Sequence, residues 1–195
     1  TEEIYTKVSK GQISYTHLSD ILRLSLLAER GGMWLDATCF VPYSIPDKAK
    51  KEVFYSPSTR GLDDMPSWSN SRWCSWNVGS CIKNNPFFMF ARDMLYSIYI
   101  NESCVPHYLV MDYVFDYAYR KLPNIKEMID NHTEYNTKRN ELHFLLNKPY
   151  KEDTYQQLIK NDWVFKLSYK SLWKKEVDNQ ITFYGKLING TLNAD

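Results

Sequence analysis

Apolar residues recur at helical spacing near the start of the chain. A largely apolar stripe on i, i+3, i+4, i+7 and i+8 positions predicts an amphipathic helix that buries this face. The stripe consists of Leu18, Ile21, Leu22, Ser25 and Leu26. Gly31 and Gly32 predict its end, because glycine adopts the left-handed conformation at little cost. The short apolar run at 33–36 is bounded by glycine and has the character of a buried strand.

The same patterns predict an α/β arrangement for the rest of the chain. Further helices are expected at 87–100, 107–121, 125–131 and 151–160. Strands are expected at 39–41 as a continuation of the first strand, and at 52–55, 73–81, 141–146 and 163–167. The remaining longer segments are read as loops or mixed structure, at 42–51, 56–72 and 171–188.

Charged side chains interrupt these apolar elements at two places. Strand alternation puts Trp34, Asp36 and Thr38 on one side of the predicted strand and its end. A buried carboxylate is costly unless a metal ion, an arginine or a ligand pairs with it. Asp20 and Arg23 are three residues apart, so they are neighbours on the predicted helix.

Composition narrows the class of protein. The chain has 195 residues, of which 44% are hydrophobic and 24% charged, as expected for one globular domain over residues 1–195. A net charge of +1 gives no basic field for nucleic acid. No apolar run approaches the roughly 20 residues that span a bilayer. The four cysteines form no CxxC pair, which favours free thiols in a reducing compartment, with two disulfides as the alternative in a secreted protein.

Two short motifs carry a family resemblance. Ser-Asp-Ile-Leu-Arg at 19–23 and Gly-Gly-Met-Trp-Leu-Asp-Ala-Thr at 31–38 resemble the motifs of DXD-motif sugar transferases, including yeast-type mannosyltransferases and the catalytic domains of clostridial glucosylating toxins. In particular, they resemble the bacterial capsular polysaccharide synthesis proteins, with looser similarity at 76–77, 108–113 and 166–170.

This resemblance implies a GT-A-like fold, the Rossmann-like α/β fold of nucleotide-diphospho-sugar transferases. Only eighteen residues precede Ser19. The nucleoside-binding strands expected before this motif are therefore predicted to be missing, and the chain is predicted to be a C-terminal portion of a longer protein.

The resemblance also implies roles for the motif residues. Asp20 and Arg23 match the pair that contacts the donor sugar and its phosphates, and Asp36 matches the first aspartate of DXD; these three form the predicted catalytic set. Thr38 stands where the second aspartate, a direct metal ligand, would be. Asp36 and Thr38 are therefore predicted to hold Mn²⁺ or Mg²⁺ with one carboxylate fewer, and the alternative is a metal ion that binds weakly or is dispensable. Such an ion would neutralise the leaving diphosphate.

Other residues are assigned to the donor or the acceptor by the same resemblance. The predicted donor-binding residues are Ser19, Trp34, Thr38, Asn77, Lys166, Ser168 and Lys170, and the predicted acceptor-binding residues are His107 and Asp112. Each has a purely structural alternative. Asp36 would then be a buried structural carboxylate, Asp20 and Arg23 a plain helix salt bridge, and Trp34 a core residue.

The resulting prediction is a retaining transferase that moves a hexose from a nucleotide sugar to a growing capsular or surface polysaccharide. Its partners would be the nucleotide-sugar donor and a glycan or lipid-linked glycan, without nucleic acid. It would act in the cytoplasm, with peripheral association at the inner face of the membrane as an option. Two alternatives stay open: a non-catalytic carbohydrate-binding or scaffold module of the same fold, and a metal-dependent hydrolase using Asp20, Asp36, Asp63 and Asp64.

Overall fold

A computed structural model describes residues 2–59, 72–132, 136–160 and 162–192. In chain order, the helices are α1 Glu2–Ser9, α2 Tyr15–Arg30, α3 Asp47–Lys51, α4 Pro86–Asn101, α5 Val110–Lys121, α6 Pro123–Asp130, α7 Glu141–Leu145, α8 Glu152–Ile159 and α9 Phe183–Ile188. The strands are β1 Gly32–Leu35, β2 Cys39–Phe40, β3 Asn77–Ser80, β4 Phe165–Lys166, β5 Glu176–Val177 and β6 Gln180–Ile181.

Helix α2 confirms the first sequence prediction, but its buried face is rotated from the predicted one. The residues that face inward are His17, Asp20, Arg23, Leu24, Leu27 and Ala28. Leu22 and Leu26, predicted to be buried, are exposed. Asp20 and Arg23 can be buried because they form an ion pair with each other. Leu24 and Leu27 on the same face pack into the larger hydrophobic cluster, against α4. Ser14 caps the helix by accepting a hydrogen bond from the backbone N–H of His17.

The turn after α2 brings strand β1 back beside β3. Gly31 ends the helix at φ 69°, and its N–H donates to the Leu27 carbonyl. Strands β1 and β3 are antiparallel, with Trp34 opposite Val78. The predicted strand at 73–81 is thus shorter than expected. The predicted strand at 52–55 is wrong, since only Tyr55 forms a bridge, to Gly79.

The first strand does not continue through residues 39–41 as predicted. The chain turns after Asp36, whose carbonyl accepts from the Cys39 N–H at 2.9 Å. Cys39 then pairs with Lys166 and Phe40 with Phe165, which makes β2 and β4 a separate antiparallel pair. This turn places Asp36 and Thr38 at the junction of two small sheets.

Three other segments differ from the sequence prediction. The predicted loop at 42–51 contains α3. The predicted strand at 141–146 is helix α7, because Leu142, Leu145 and Leu146 have i, i+3, i+4 spacing and pack on the C-terminal core. The mixed segment at 171–188 contains the β5–β6 hairpin and α9. Helices α4, α5, α6 and α8 confirm the predicted helices, with ends shifted by a few residues.

The hydrophobic residues form two main clusters with the site between them. The larger cluster joins α1, α2, α4, α5 and α6, and the second joins α7, α8, β4 and α9. In the described part, the three sheets are two-stranded and antiparallel. Three separate pairs do not by themselves define a nucleotide-binding sheet, so the GT-A-like topology and the single domain stay predictions. Among the described residues, none of the helices combines the length and the apolar character that crossing a membrane requires.

Candidate active site

A cavity of about 720 Å³ opens between the first half of α2, the end of β1 and the segment that follows β4. Most of the sequence-predicted donor residues line it together, although they come from three distant parts of the chain. Those in the cavity wall are Ser19, Arg23, Trp34, Asp36, Thr38, Lys166, Ser168 and Lys170.

Asp36 is the centre of this cavity wall. Its Oδ1 accepts hydrogen bonds from Arg23 Nη2 at 3.0 Å and from Trp34 Nε1 at 3.0 Å. Its Oδ2 accepts from Lys166 Nζ at 2.9 Å. One carboxylate therefore joins α2, β1 and β4, and its two oxygens both receive charge-assisted hydrogen bonds.

Arg23 is held rigidly behind this carboxylate. It is 4% exposed, and its Nη1 donates to the Ser75 carbonyl. Its Nη2 also lies 3.5 Å from Asp20 Oδ1, and its guanidinium carbon lies 5.1 Å from the centroid of the Trp34 ring. The guanidinium is therefore fixed by α2, β1 and the segment before β3.

Lys166 reaches the same point from the C-terminal part of the chain. Its ammonium donates to Asp36 and, at 2.7 Å, to Thr38 Oγ1. It also lies 5.7 Å from the centroid of the Trp76 ring. Its backbone N–H donates to the Arg139 carbonyl at 2.7 Å, so strand β4 is anchored from both sides.

Two buried carboxyl groups, Asp20 and Asp112, lie outside the cavity lining. Burial raises the pKa of Asp20 to about 7, partly opposed by the positive charge of Arg23. Burial also raises the pKa of Asp112 to about 6, against the hydrogen bonds that Trp73 Nε1 and Ser75 Oγ donate to it. Asp20 is thus placed to orient Arg23, and not to meet a sugar hydroxyl in the cavity.

The structure separates the other predicted residues from the cavity. Asn77 is fully buried opposite Leu35, on the face of the β1–β3 pair that points away from Trp34, and its amide has no hydrogen-bond partner within the described part. His107 is exposed and does not line the cavity, whereas the adjacent Tyr108 does. The predicted acceptor pair, His107 and Asp112, is therefore not brought together in the cavity.

Sequence reasoning missed several residues of this site, among them Tyr169 at the cavity opening. Tyr108 lies in the stretch of looser resemblance, where the adjacent histidine was chosen instead. Asn140 and His143 line the cavity from the region of α7, which was predicted to be a strand. Trp76 contacts Lys166 across the chain, and no sequence signal links the two.

The predicted ligands of Mn²⁺ or Mg²⁺ are engaged by cationic side chains, and the metal ion itself stays a prediction. Both Asp36 oxygens accept hydrogen bonds from cationic side chains, and the Thr38 hydroxyl accepts from the same ammonium. A divalent ion at these oxygens would meet the positive charge of Lys166 at close range. Within the described ranges, no group of three His, Cys, Asp or Glu side chains could hold a metal ion. Asp63 and Asp64, which the hydrolase alternative needs, lie outside the described residues.

The charge of the cavity wall indicates the kind of ligand it suits. In the described part, the charged Arg, Lys, Asp and Glu side chains of the wall are three cations, Arg23, Lys166 and Lys170, and one carboxylate, Asp36. Tyr108 and Tyr169 stand at the opening with exposed rings. A cavity with surplus positive charge and aromatic edges is suited to an anionic ligand with a flat or sugar-like portion.

These features define a protein of mixed helix and strand with a cavity whose wall carries surplus positive charge. The chain belongs to the capsular polysaccharide synthesis protein family, whose sequence profile matches residues 1–187. This match confirms the resemblance to that family and links the chain to capsular polysaccharide synthesis, while the wider relationship to DXD transferases stays a prediction. No curated protein and no solved structure matches the chain significantly.

Proposed function

We propose that the protein is a glycosyltransferase that moves a hexose from a nucleotide sugar to a growing capsular polysaccharide. The observation that carries this proposal is the convergence of Arg23, Lys166 and Lys170 on one cavity around the single carboxylate Asp36. A nucleotide sugar is a diphosphate ester, so its charge is complementary to such a wall. Membership in a capsule synthesis family supplies the sugar context.

The roles follow from the contacts. Lys166 and Lys170 contact the diphosphate, and Arg23 adds a fixed positive charge behind them. Asp36 holds Arg23 and Lys166 at a constant separation, and Asp20 orients Arg23 from the other side. Such preorganised charges stabilise a leaving group without rearranging during the reaction.

The acceptor is a glycan or a lipid-linked glycan that enters past Tyr108 and Tyr169. The two side chains, 64% and 78% exposed, give sugar rings a flat surface to pack on at the cavity mouth. Retention of the donor's anomeric configuration is proposed from the family resemblance, without a named base. Because nucleotide sugars are cytosolic compounds, the reaction is proposed to occur in the cytoplasm.

The test is sugar transfer by the full-length protein. Radiolabelled UDP- and GDP-hexoses are supplied one at a time with capsular polysaccharide or its lipid-linked precursor, and label in the polymer is measured. The Asp36→Asn variant should transfer about 10- to 100-fold more slowly, because the reacting groups lose their fixed positions. Asp47→Asn is the matched control, since Asp47 is an exposed partner of Lys50 on α3.

Other outcomes would favour the alternatives. Binding of the glycan without turnover of any nucleotide sugar would support the scaffold module. Hydrolysis of simple phosphodiesters or glycosides in the absence of nucleotide sugar would support the hydrolase. Equal rates of sugar transfer by the Asp36→Asn and Asp47→Asn variants would show that the proposed site takes no part in the reaction.

A further inference from the structure

The ammonium of Lys166 lies at the position where the family resemblance would put a metal ion. Its Nζ is 2.9 Å from Asp36 Oδ2 and 2.7 Å from Thr38 Oγ1. These two side chains were the predicted metal ligands. The cation that they hold belongs to the protein itself.

This placement is built into the backbone. Lys166 pairs with Cys39, the residue that directly follows Thr38, in the β2–β4 pair. The Leu167 N–H donates to the Thr38 carbonyl at 2.9 Å. The ammonium is therefore brought to Asp36 by strand pairing, and it does not depend on a chance conformation of a long surface side chain.

The neighbouring groups fix the ammonium and leave it open to a ligand. The ammonium lies 5.7 Å from the centroid of the Trp76 ring and within hydrogen-bond distance of the Asp36 carboxylate and the Thr38 hydroxyl. The Lys166 side chain keeps 26% of its surface exposed, and the residue lines the cavity. An ammonium has three donors, and side chains of the described residues accept from two of them, so the third can donate to a phosphate oxygen.

The replacement also explains Thr38. A second aspartate at position 38 would suit a divalent ion, which gains from more negative ligands. A neutral hydroxyl suits an ammonium, because it accepts a hydrogen bond from the ammonium beside the Asp36 carboxylate. Threonine at 38 and lysine at 166 thus form a matched pair.

We propose that Lys166 takes the place of the divalent cation, so that this protein binds and uses its nucleotide-sugar donor without a metal ion; this inference rests on the proposed function. In the reaction, the bond between the anomeric carbon and the β-phosphate oxygen breaks, and its electron pair stays on that oxygen. The acceptor oxygen forms the new bond to the anomeric carbon, and the acceptor proton is released to solvent. Lys166 and Arg23 stabilise the additional charge on the nucleoside diphosphate.

The test is calorimetric titration of the full-length protein with UDP and with GDP, in EDTA and in Mn²⁺. The wild-type protein should bind one of the two nucleotides in EDTA, with a Kd within about twofold of that in Mn²⁺. Lys166→Met keeps the length of the side chain and removes the charge, and should weaken binding in EDTA by about 10- to 100-fold. Lys121→Met is the control, because Lys121 is exposed at the end of α5 and is not in the cavity wall.

The outcomes separate this inference from the function on which it rests. Wild-type binding that disappears in EDTA and returns with Mn²⁺ overturns the inference and keeps the transferase. Equal binding by Lys166→Met and Lys121→Met also overturns it. If neither nucleotide binds in any condition, the transferase proposal fails, and the inference fails with it. The wild-type titrations in EDTA and in Mn²⁺ test whether nucleotide binding needs a metal ion, even if a variant does not fold.

Discussion

Asp36 holds two cations that come from distant parts of the chain. Arg23 is thirteen residues before it, and Lys166 is 130 residues after it. The carboxylate is partly buried, whereas Arg23 is almost fully buried. Its loss would leave the guanidinium with Asp20, at 3.5 Å, as its ion-pair partner among the described residues.

The first prediction concerns this ion pair. Asp36→Asn should lower the free energy of unfolding by about 1–3 kcal/mol, because a buried cation loses a charge-assisted hydrogen bond. Asp47→Asn should change it by less than about 0.5 kcal/mol, since that pair is exposed. Urea denaturation at neutral pH measures both. Equal stability of the two variants would show that Asp36 does not hold Arg23 in place.

The second prediction concerns the protonation of Asp20. Burial raises the pKa of Asp20 from 3.8 to about 7, so between these values the folded protein holds more protons than the unfolded chain. The free energy of unfolding therefore falls as the pH rises through this range. The Asp20→Asn variant lacks this titration. From pH 5 to pH 8 the wild type should lose on the order of 1–3 kcal/mol relative to the variant. A difference that stays constant over this range would contradict the raised pKa.

At the scale of elements, helix α2 determines where the site lies. It buries Asp20 and Arg23 on the same side as Leu24 and Leu27, and it exposes Leu22. The orientation of this helix therefore directs Arg23 toward Asp36.

The third prediction tests that orientation. Leu24→Ala should lower the free energy of unfolding by about 2–5 kcal/mol, because Leu24 is 0% exposed in the main core. Leu22→Ala should lower the free energy of unfolding by less than about 1 kcal/mol, because Leu22 is 51% exposed. Thermal or urea unfolding of both variants measures the contrast. A larger effect at Leu22 would support the face that the sequence pattern predicts.

The range over which a sequence signal acts explains which elements could be predicted from the sequence alone. The apolar stripe of α2, the glycines after it and the alternation in β1 act within a few residues, so the helix, the turn and the strand could be predicted. The orientation of α2 could not, because leucines occur on both of its faces and because Arg23 is stabilised inside by Asp36 and the Ser75 carbonyl as well as by the nearby Asp20. Helix α7 was predicted to be a strand because a five-residue helix has too few positions to show its period.

At the scale of the whole molecule, the site draws on elements that pack on different hydrophobic clusters. Helix α2 and Trp34 pack on the larger cluster, whereas Phe165 of β4 belongs to the cluster built by α7, α8 and α9. Met33 and Leu35 of β1 pack on a third cluster that contains Tyr55. Pairing of β2 with β4 brings Lys166 to Asp36. A contact over 130 residues has no local signature, so the sequence named Lys166 as a donor residue without placing it against the carboxylate.

A crystal structure of the full-length protein with bound UDP or GDP tests the central claim most directly. We expect diphosphate oxygens within about 3.2 Å of Lys166 Nζ and of Lys170 Nζ. A diphosphate bound elsewhere, with the Arg23–Asp36–Lys166 contacts facing an unused cavity, would contradict it.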